Sequence, residues 1–323
     1  MRAVRCHELT GPAGLRVDEI EAPVAGDGQV LVDVRAAGVN FPDVLITEGK
    51  YQFKAPLPFV PGGEVAGVVR AVGDGVVGIA PGDRVAATMV FGAFAEQVVV
   101  GAGAVFPLPD AVDFPVGAAV LVAHGTTMHA LVDRARLREG ETLLVLGAAG
   151  GVGLAAIEIG KCLGARVIAA ASSEAKLALC RSHGADEVID YVHDDLRARL
   201  KAIAPMGVDV VYDPVGGDYT EAAIRSLAWN GRLLVVGFTT GTIPKIPTNL
   251  VLLKGCEIVG VFWGAFTQRD PARNREHIGR LLQWIAEGRV EPHVDATLPL
   301  ERASVALTRL AQREARGKLV LVP

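Results

Sequence analysis

The chain has 323 residues, of which half are apolar and 38 are glycine, so it can bury a large core. Lys and Arg number 32 against 36 Asp and Glu, which leaves no broad cationic field for nucleic acid or an anionic membrane. The sequence shows no signal-peptide pattern and no apolar run of about 18 residues, so we expect a cytoplasmic protein with no membrane partner. At roughly 150 residues per domain, the length favours two domains.

The first part of the chain predicts a β-rich unit. Short apolar stretches bounded by Gly and Pro are typical of antiparallel strands, and here they occupy 29–34, 64–69 and 95–100. A Pro-Gly-Asp sequence at 81–83 predicts a turn between two such strands.

From about Val116 the pattern changes to a regular alternation of strands and helices. An Ala-rich helix is predicted through Leu131, and later helices near 151–163, 174–182, 194–203 and 218–228. The predicted strands are Thr142–Leu146, 166–170, 187–189, 208–212, 232–236 and 257–261. This alternation predicts a doubly wound parallel sheet with right-handed crossovers.

The end of the chain contains too few elements for a third domain. Apolar residues at helical spacing from Ile278 to Ile285 predict an amphipathic helix, followed by a helix around 301–312 and the strand Lys318–Val322. We expect these pieces to complete the N-terminal unit. The predicted domains are therefore 1–122 with 264–323, and 123–263.

A glycine-rich turn follows the first strand of the alternating region and leads into a helix. Gly150 allows the backbone to approach a pyrophosphate, and Gly153 allows the helix to pack closely on the strand. Ala148 replaces the first glycine of the G-x-G-x-x-G pattern, but the strand before it and the helix after it favour a dinucleotide site. The alternative is a tight turn with only a structural role.

The end of the second strand of this region favours NADPH over NADH. Ala171 stands where an NAD site has an acidic residue for the ribose, whereas Ser172, Ser173 and Lys176 can receive a 2′-phosphate. Glu174 would complement the helix dipole in the first turn. The alternative is that Lys176 is an ordinary solvated helix residue.

The cysteines and histidines show no pattern typical of a metal site. No short Cys-Cys spacing is present, and we expect reduced, mostly buried thiols. His124 and His129 would lie on different faces of a helix, so we expect them to serve in packing or polar contacts.

Several motifs in a fixed order resemble one family over essentially the whole length. They occupy 37–43, 61–67, 81–85, the glycine-rich turn, 209–217 and 317–318. They resemble the medium-chain dehydrogenase/reductase superfamily, and closely its zinc-free quinone oxidoreductase branch, which is related to zeta-crystallin. The resemblance implies an α/β protein: a GroES-like β domain completed by the C-terminus, and a Rossmann doubly wound parallel-sheet domain that binds NADPH.

Zinc-dependent members of that superfamily carry Cys and His at two positions where this chain differs. Here the residues are Asn40 and Gly63, neither of which can replace a thiolate or imidazole ligand. The resemblance therefore implies a reaction without zinc.

The resemblance also implies site residues along the length of the cofactor. Asn40 and Thr127 would lie near the nicotinamide, although Asn40 could instead be a turn residue. Tyr191, which the resemblance places at the 2′-phosphate, could instead be a core aromatic residue. The pyrophosphate would contact Gly150, Gly151 and Val152. The 2′-phosphate would be surrounded by Ser173, Lys176 and Tyr191. The nicotinamide end would be lined by Phe238, Phe262, Gly264 and Lys318.

Hydride transfer without a metal requires an acceptor that is already electrophilic, such as a quinone or enone. Tyr51 is the candidate catalytic residue beside Asn40, because it lies at the spacing of a pocket tyrosine in the resembled family. Leu45 stands where several relatives carry a second tyrosine, which makes the expected pocket more apolar. Lys50 and Lys54 either meet an anionic substrate such as an acyl-CoA or are flexible surface residues.

These observations predict an NADPH-dependent reductase of quinones or other activated alkenes. The alternatives are a reductase of enoyl thioesters or 2-haloacrylates and, in a different class, a crystallin-like protein that binds NADPH without turnover. RNA binding has little support from the acidic balance of charges. The predicted edge strand at 257–261 could pair with its copy across a twofold axis, so we expect a homodimer.

Overall fold

The computed structural model describes residues 1–323, which divide into two units. The first contains 1–123, 278–286 and 292–323, and the second contains 124–277 and 287–291. The strands are β1 (Arg2–Cys6), β2 (Leu15–Glu19), β3 (Gln29–Val39), β4 (Glu64–Val72), β5 (Arg84–Thr88), β6 (Gln97–Gly101), β7 (Val105–Pro107), β8 (Thr142–Leu146), β9 (Arg166–Ala171), β10 (Glu187–Asp190), β11 (Val208–Asp213), β12 (Leu227–Val235), β13 (Glu257–Gly260), β14 (Val294–Pro299) and β15 (Lys318–Val322). The α-helices are α1 (Phe41–Thr47), α2 (Phe114–Met128), α3 (Gly151–Cys162), α4 (Glu174–Ser182), α5 (Leu196–Ile203), α6 (Asp218–Arg225), α7 (Thr248–Lys254), α8 (Trp263–Arg269), α9 (Pro271–Ala286) and α10 (Ala303–Ala311).

The first unit is built on a seven-stranded sheet in the order β14-β15-β3-β4-β5-β7, with β6 also paired to β3. Val30, Val32 and Val34 alternate along β3 and are buried in the core of this unit, as the period of a strand requires. β15 pairs with β3 antiparallel, with Leu319 opposite Val39. The predicted completion of the N-terminal unit by the end of the chain is thus confirmed.

The second unit contains a six-stranded, wholly parallel sheet in the order β10-β9-β8-β11-β12-β13. Numbered from β8, this is the order 3-2-1-4-5-6 of a doubly wound dinucleotide-binding sheet. Residues Leu143 to Leu146 of β8 are completely buried, which explains why the central strands have continuous apolar sequences. All six predicted strands are present.

The structure differs from the sequence prediction in some local elements. β12 begins at Leu227, inside the predicted helix 218–228, because Leu227 pairs with Val208 beside a register shift. The short helices α1, α7 and α8 and the two-stranded sheet β1-β2 were not predicted. The cysteines agree with the prediction: all four are free thiols, and three are buried.

One helical segment, 114–134, is long and apolar enough to cross a membrane by length and composition alone. It comprises α2 and a wider π-helical stretch, His129–Arg134, at whose end the N–H of Ala135 donates to the Ala130 carbonyl. Because 72% of its most apolar window is buried inside the protein, the segment has the character of a core helix.

Candidate active site

The turn between β8 and α3 takes its special conformation at Gly147. This glycine has φ +59°, in the left-handed region, whereas Ala148 is buried and its N–H donates to the Ala170 carbonyl at 3.0 Å. The apparent departure from the glycine pattern at Ala148 therefore falls at a position that does not need glycine.

Two other glycines of the turn have different environments. A Cβ at Gly153 would lie 2.5 Å from the Gly147 carbonyl oxygen and 2.6 Å from that of Ala148, so the close passage of α3 requires glycine there. A Cβ at Gly150 would meet only the Gly147 oxygen, at an ordinary 3.5 Å. Gly150 thus leaves open space at the N-terminus of α3, where backbone N–H groups and the helix dipole suit a pyrophosphate.

Thr127 connects this turn to a buried tyrosine. Its hydroxyl donates to the Val152 carbonyl at 3.4 Å and lies 2.9 Å from the hydroxyl of Tyr212, at the end of β11. Burial raises the pKa of Tyr212, so its hydroxyl stays protonated. The predicted residues Thr127 and Val152 are therefore in direct contact.

We expect Thr127→Val to lower the free energy of unfolding by about 1–3 kcal/mol, because it leaves the buried Tyr212 hydroxyl without its Thr127 partner. Urea unfolding at neutral pH measures this change. Tyr212→Phe should cost less, and the double variant should cost less than the sum of the two. Additive losses would show that the hydroxyl pair contributes nothing.

The predicted residues for the 2′-phosphate follow the ends of two neighbouring strands. Lys176 donates to the hydroxyl of Ser172 at 3.2 Å, and Ser173 immediately precedes α4. Tyr191 packs on Tyr219, with 4.6 Å between ring centroids. A cationic group and two hydroxyl-bearing residues therefore lie at the end of β9, as a phosphate site requires.

Glu174 lies in the same first turn of α4 but is engaged elsewhere. It accepts from Arg181 at 2.6 Å, in an exposed ion pair along the helix. The Arg181 charge therefore partly neutralises the Glu174 carboxylate, which lies next to the predicted phosphate position.

The loop after β11 is held by a buried aspartate. Asp213 accepts hydrogen bonds from the N–H groups of Val215 and Gly216 and from the Thr220 hydroxyl, at 2.6 to 2.9 Å. Gly216 has φ +71°, and a Cβ there would lie 3.0 Å from the ring of Phe238. The predicted Phe238 therefore packs against a loop whose conformation Asp213 fixes.

The other predicted residues at the nicotinamide end of the second unit lie at the start of α8. Phe262 is half-exposed, and Gly264 lies in the first turn of the helix. The indole N–H of Trp263 donates to the side chain of Asn274 at 3.0 Å, which anchors this helix to α9.

In the first unit, Asn40 and Lys318 meet in a buried polar cluster at the N-terminus of α1. Asn40 donates through Nδ2 to Glu64 Oε1 at 2.8 Å, and its backbone N–H donates to Asp43 at 2.7 Å. Lys318 donates to Asn40 Oδ1 at 2.5 Å and to Glu64 Oε1 at 2.8 Å. All four side chains are buried.

Burial raises the pKa of the Asp43 carboxyl to about 7, against the opposing effects of the Asn40 N–H and the Lys318 charge. Burial, with a smaller contribution from the charge of Asp43, also raises the pKa of Tyr51. Tyr51 packs against the small apolar cluster of Cys6, Ile46 and Phe59. The two predicted catalytic residues lie in the same unit, and no hydrogen bond joins Tyr51 to Asn40.

The two positions that bind zinc in the resembled relatives have different roles here. The Asn40 amide is bonded within the polar cluster, and Gly63 lies against the backbone of Met89. No group of three His, Cys, Asp or Glu side chains is arranged to hold a metal ion.

Comparison with known proteins agrees with this architecture. Family models described as "Alcohol dehydrogenase GroES-like domain" and "Zinc-binding dehydrogenase" match residues 26–110 and 151–286. Quinone oxidoreductase-like protein 2 of Mus musculus is 38% identical over 322 residues, which cover 99% of this chain and 91% of the relative. The chain belongs to the medium-chain dehydrogenase/reductase superfamily, in its quinone oxidoreductase branch.

Solved structures also resemble this chain of the quinone oxidoreductase branch over its whole length. A probable oxidoreductase from Mycobacterium abscessus is 41% identical, with a TM-score of 0.91, over 100% of this chain and 99% of the other. Escherichia coli quinone oxidoreductase complexed with NADPH is 30% identical, with a TM-score of 0.93, over the full length of both chains. The protein is therefore an oxidoreductase with the GroES-like and Rossmann-like domains of this branch.

Four buried polar residues of this quinone oxidoreductase-branch protein were not predicted to have a role. Asp43, Glu64, Tyr212 and Asp213 were part of recognised motifs or predicted strands but received no role. The pattern that could have indicated them is a charged or hydroxyl-bearing residue beside apolar strand residues. Such a polar group is rarely buried without a hydrogen-bond partner.

Proposed function

We propose that the protein is a cytoplasmic NADPH-dependent reductase of quinones or other activated alkenes. The observation that carries this proposal is the turn at Gly150, which leaves room for a pyrophosphate at a helix N-terminus in a chain of this fold. The E. coli relative complexed with NADPH supports it.

The groups at the end of β9 favour NADPH over NADH. We expect Lys176→Ala to raise the Kd for NADPH about 10- to 100-fold, because a charge-assisted hydrogen bond to phosphate contributes roughly 1.5–3 kcal/mol. The Kd for NADH, which has no 2′-phosphate, should change little. Fluorescence titration measures both, with the exposed Lys201→Ala as the control. Equal losses for the two cofactors would contradict the assignment.

When bound, NADPH supplies the hydride. Asn40, Thr127 and Phe238 would orient the nicotinamide, and the Tyr51 hydroxyl would donate a hydrogen bond to the acceptor oxygen that gains negative charge. Its raised pKa keeps Tyr51 protonated at neutral pH, as such a donor must be. Quinones and enones suit these groups because conjugation already makes them electrophilic.

The proposal is tested by the rate of NADPH oxidation with 1,4-benzoquinone, 1,2-naphthoquinone, crotonyl-CoA and a 2-haloacrylate. We expect turnover with the quinones. Under conditions in which reduction of the acceptor is the rate-limiting step, we expect Tyr51→Phe to lose this turnover. Turnover with crotonyl-CoA or the haloacrylate alone would favour the corresponding alternative. Tight NADPH binding without turnover of any acceptor would favour a crystallin-like role.

We also propose that the enzyme is a homodimer that pairs through β13, the edge strand of the second sheet. Ile258 on this strand is partly exposed, and Leu252 and Leu253 of the preceding helix are 79% and 72% exposed. An edge strand with no strand on its outer side and with exposed apolar side chains favours pairing with its own copy.

We expect light scattering to give twice the monomer mass of 33.8 kDa. Ile258→Lys should shift the protein toward monomer, because a charge on the edge opposes pairing. Val24→Lys, at an exposed position of the first unit, is the matched control. A strictly monomeric wild type would contradict the proposal.

A further inference from the structure

We propose that Lys318 is a positioning residue which, together with Glu64, fixes the side-chain amide of Asn40 so that it offers an N–H donor to a carbonyl oxygen of the cofactor or acceptor. This inference rests on the proposed function, and it changes the expected role of Lys318 from cofactor contact to support.

The orientation of the amide follows from what each partner can do. An ammonium group can only donate a hydrogen bond, and an ionised carboxylate can only accept one. Lys318 Nζ lies 2.5 Å from one end of the Asn40 amide, which must be Oδ1, and Glu64 Oε1 lies 2.8 Å from the other, which must be Nδ2. A flipped amide would place a donor against the ammonium and an acceptor against the carboxylate.

The donors of Lys318 are already used within the protein. Its three N–H groups have three acceptors at 2.5 to 2.9 Å: the Val39 carbonyl, Asn40 Oδ1 and Glu64 Oε1. A direct hydrogen bond from Lys318 to the cofactor would therefore break one of these bonds in a buried site.

Glu64 is held just as firmly. It is completely buried, and its second oxygen accepts from the N–H of Val122 at 2.9 Å. The Glu64–Lys318 pair is thus fixed from two sides and cannot readily follow a rotation of the Asn40 amide.

One hydrogen-bond donor of Asn40 is only weakly used within the protein, and this donor determines which ligand group Asn40 can bind. The second Nδ2 hydrogen has only a long contact of 3.5 Å to the Gly38 carbonyl, so it can be given to a better acceptor. A carbonyl oxygen matches this donor, and the carboxamide of a nicotinamide and the oxygen of a quinone both carry one.

Either member of the pair alone would still select the same orientation, so only the removal of both should free the amide. The test therefore uses Glu64→Gln with Lys318→Met, a double variant that removes both charges of this ion pair, so that neither partner is left buried without the other. Lys318→Arg retains the charge and donors, and Lys201→Met, at an exposed position of α5, is the matched control. Thermal unfolding shows which variants are folded.

The first readout needs no turnover. The chain contains four asparagines, so 15N labelling of asparagine gives four side-chain amides, and that of Asn40 is the one lost in Asn40→Ala. In the wild type we expect one Asn40 Nδ2 hydrogen to exchange slowly with solvent. In the double variant it should exchange about tenfold faster or more. Fast exchange of both hydrogens in the wild type, or unchanged protection in the folded double variant, would overturn the proposal.

The second readout separates binding from turnover with 1,4-benzoquinone. In the double variant we expect kcat to fall about tenfold to a hundredfold, because a donor near the reacting atoms loses its fixed orientation. The Kd for NADPH should stay within about threefold, and Lys318→Arg, which keeps the charge, the donors and Glu64, should retain most of the wild-type kcat. A tenfold rise in Kd with unchanged kcat would show that this cluster contributes to cofactor binding and not to the orientation of a donor near the reacting atoms, which would overturn the proposal. A wild type that reduces no acceptor would refute the proposed function, while the exchange measurement would still decide this inference.

Discussion

Gly150→Ala is expected to leave the protein folded while raising the Kd for NADPH about a hundredfold. The fold tolerates the methyl group, because its nearest neighbour would be the Gly147 oxygen at 3.5 Å. The same methyl group would occupy the space at the N-terminus of α3 and keep the pyrophosphate from the backbone N–H groups. The loss of two charge-assisted hydrogen bonds, at about 1.5 kcal/mol each, corresponds to this factor.

Gly153→Ala is the matched comparison three residues further on. Here the methyl group would lie 2.5 Å from the backbone oxygen of Gly147, and α3 would have to move away from β8. We expect a loss of about 1–3 kcal/mol or more in the free energy of unfolding, together with weakened binding. Urea unfolding and NADPH fluorescence titration of both variants separate the two roles. Unchanged NADPH affinity in Gly150→Ala would contradict the proposal that the open space at Gly150 holds the pyrophosphate.

The second large effect is a pH dependence of stability that arises from Asp43. The pKa of this carboxyl is raised from 3.8 to about 7 in the folded protein. Below pH 3.8 the proton is bound in both states. Between these values only the folded state holds it, so stability falls as pH rises and the loss is complete above about pH 7. At about 1.4 kcal/mol for each pKa unit, the loss amounts to about 4 kcal/mol.

Asp43→Asn cannot ionise and should remove this decline. We expect the free energy of unfolding of the variant, measured in urea from pH 4 to pH 8, to lack most of the decrease that the wild type shows across this range. Asp110→Asn, at a fully exposed position, should retain the wild-type slope. If Asp43→Asn and the wild type follow parallel curves, the buried carboxyl does not titrate in this range.

The sequence was informative where a feature depends on neighbours in the chain. The six strands of the parallel sheet were predictable because each is a short apolar run between helical segments, and the glycine turn because all its residues are consecutive. The short helices α1, α7 and α8 were missed, because each has only seven residues and too few turns to show a helical period.

Contacts between distant residues could not be predicted in the same way. Glu64 and Lys318 are separated by 254 positions, and Thr127 and Tyr212 by 85, so no local pattern reveals that they are bonded. The motif resemblance selected Asn40 and Lys318 as individual site residues. It could not show that the lysine's donors are already used in orienting the asparagine.

The central claim is tested most directly by the steady-state kcat/KM of the wild type for NADPH and for NADH, measured with 1,4-benzoquinone as acceptor. We expect turnover with both cofactors at saturating acceptor and a kcat/KM for NADPH about tenfold or more above that for NADH, because only NADPH offers a 2′-phosphate to Lys176 and its neighbours. Oxidation of NADPH no faster than in the absence of enzyme, or a preference for NADH, would contradict it.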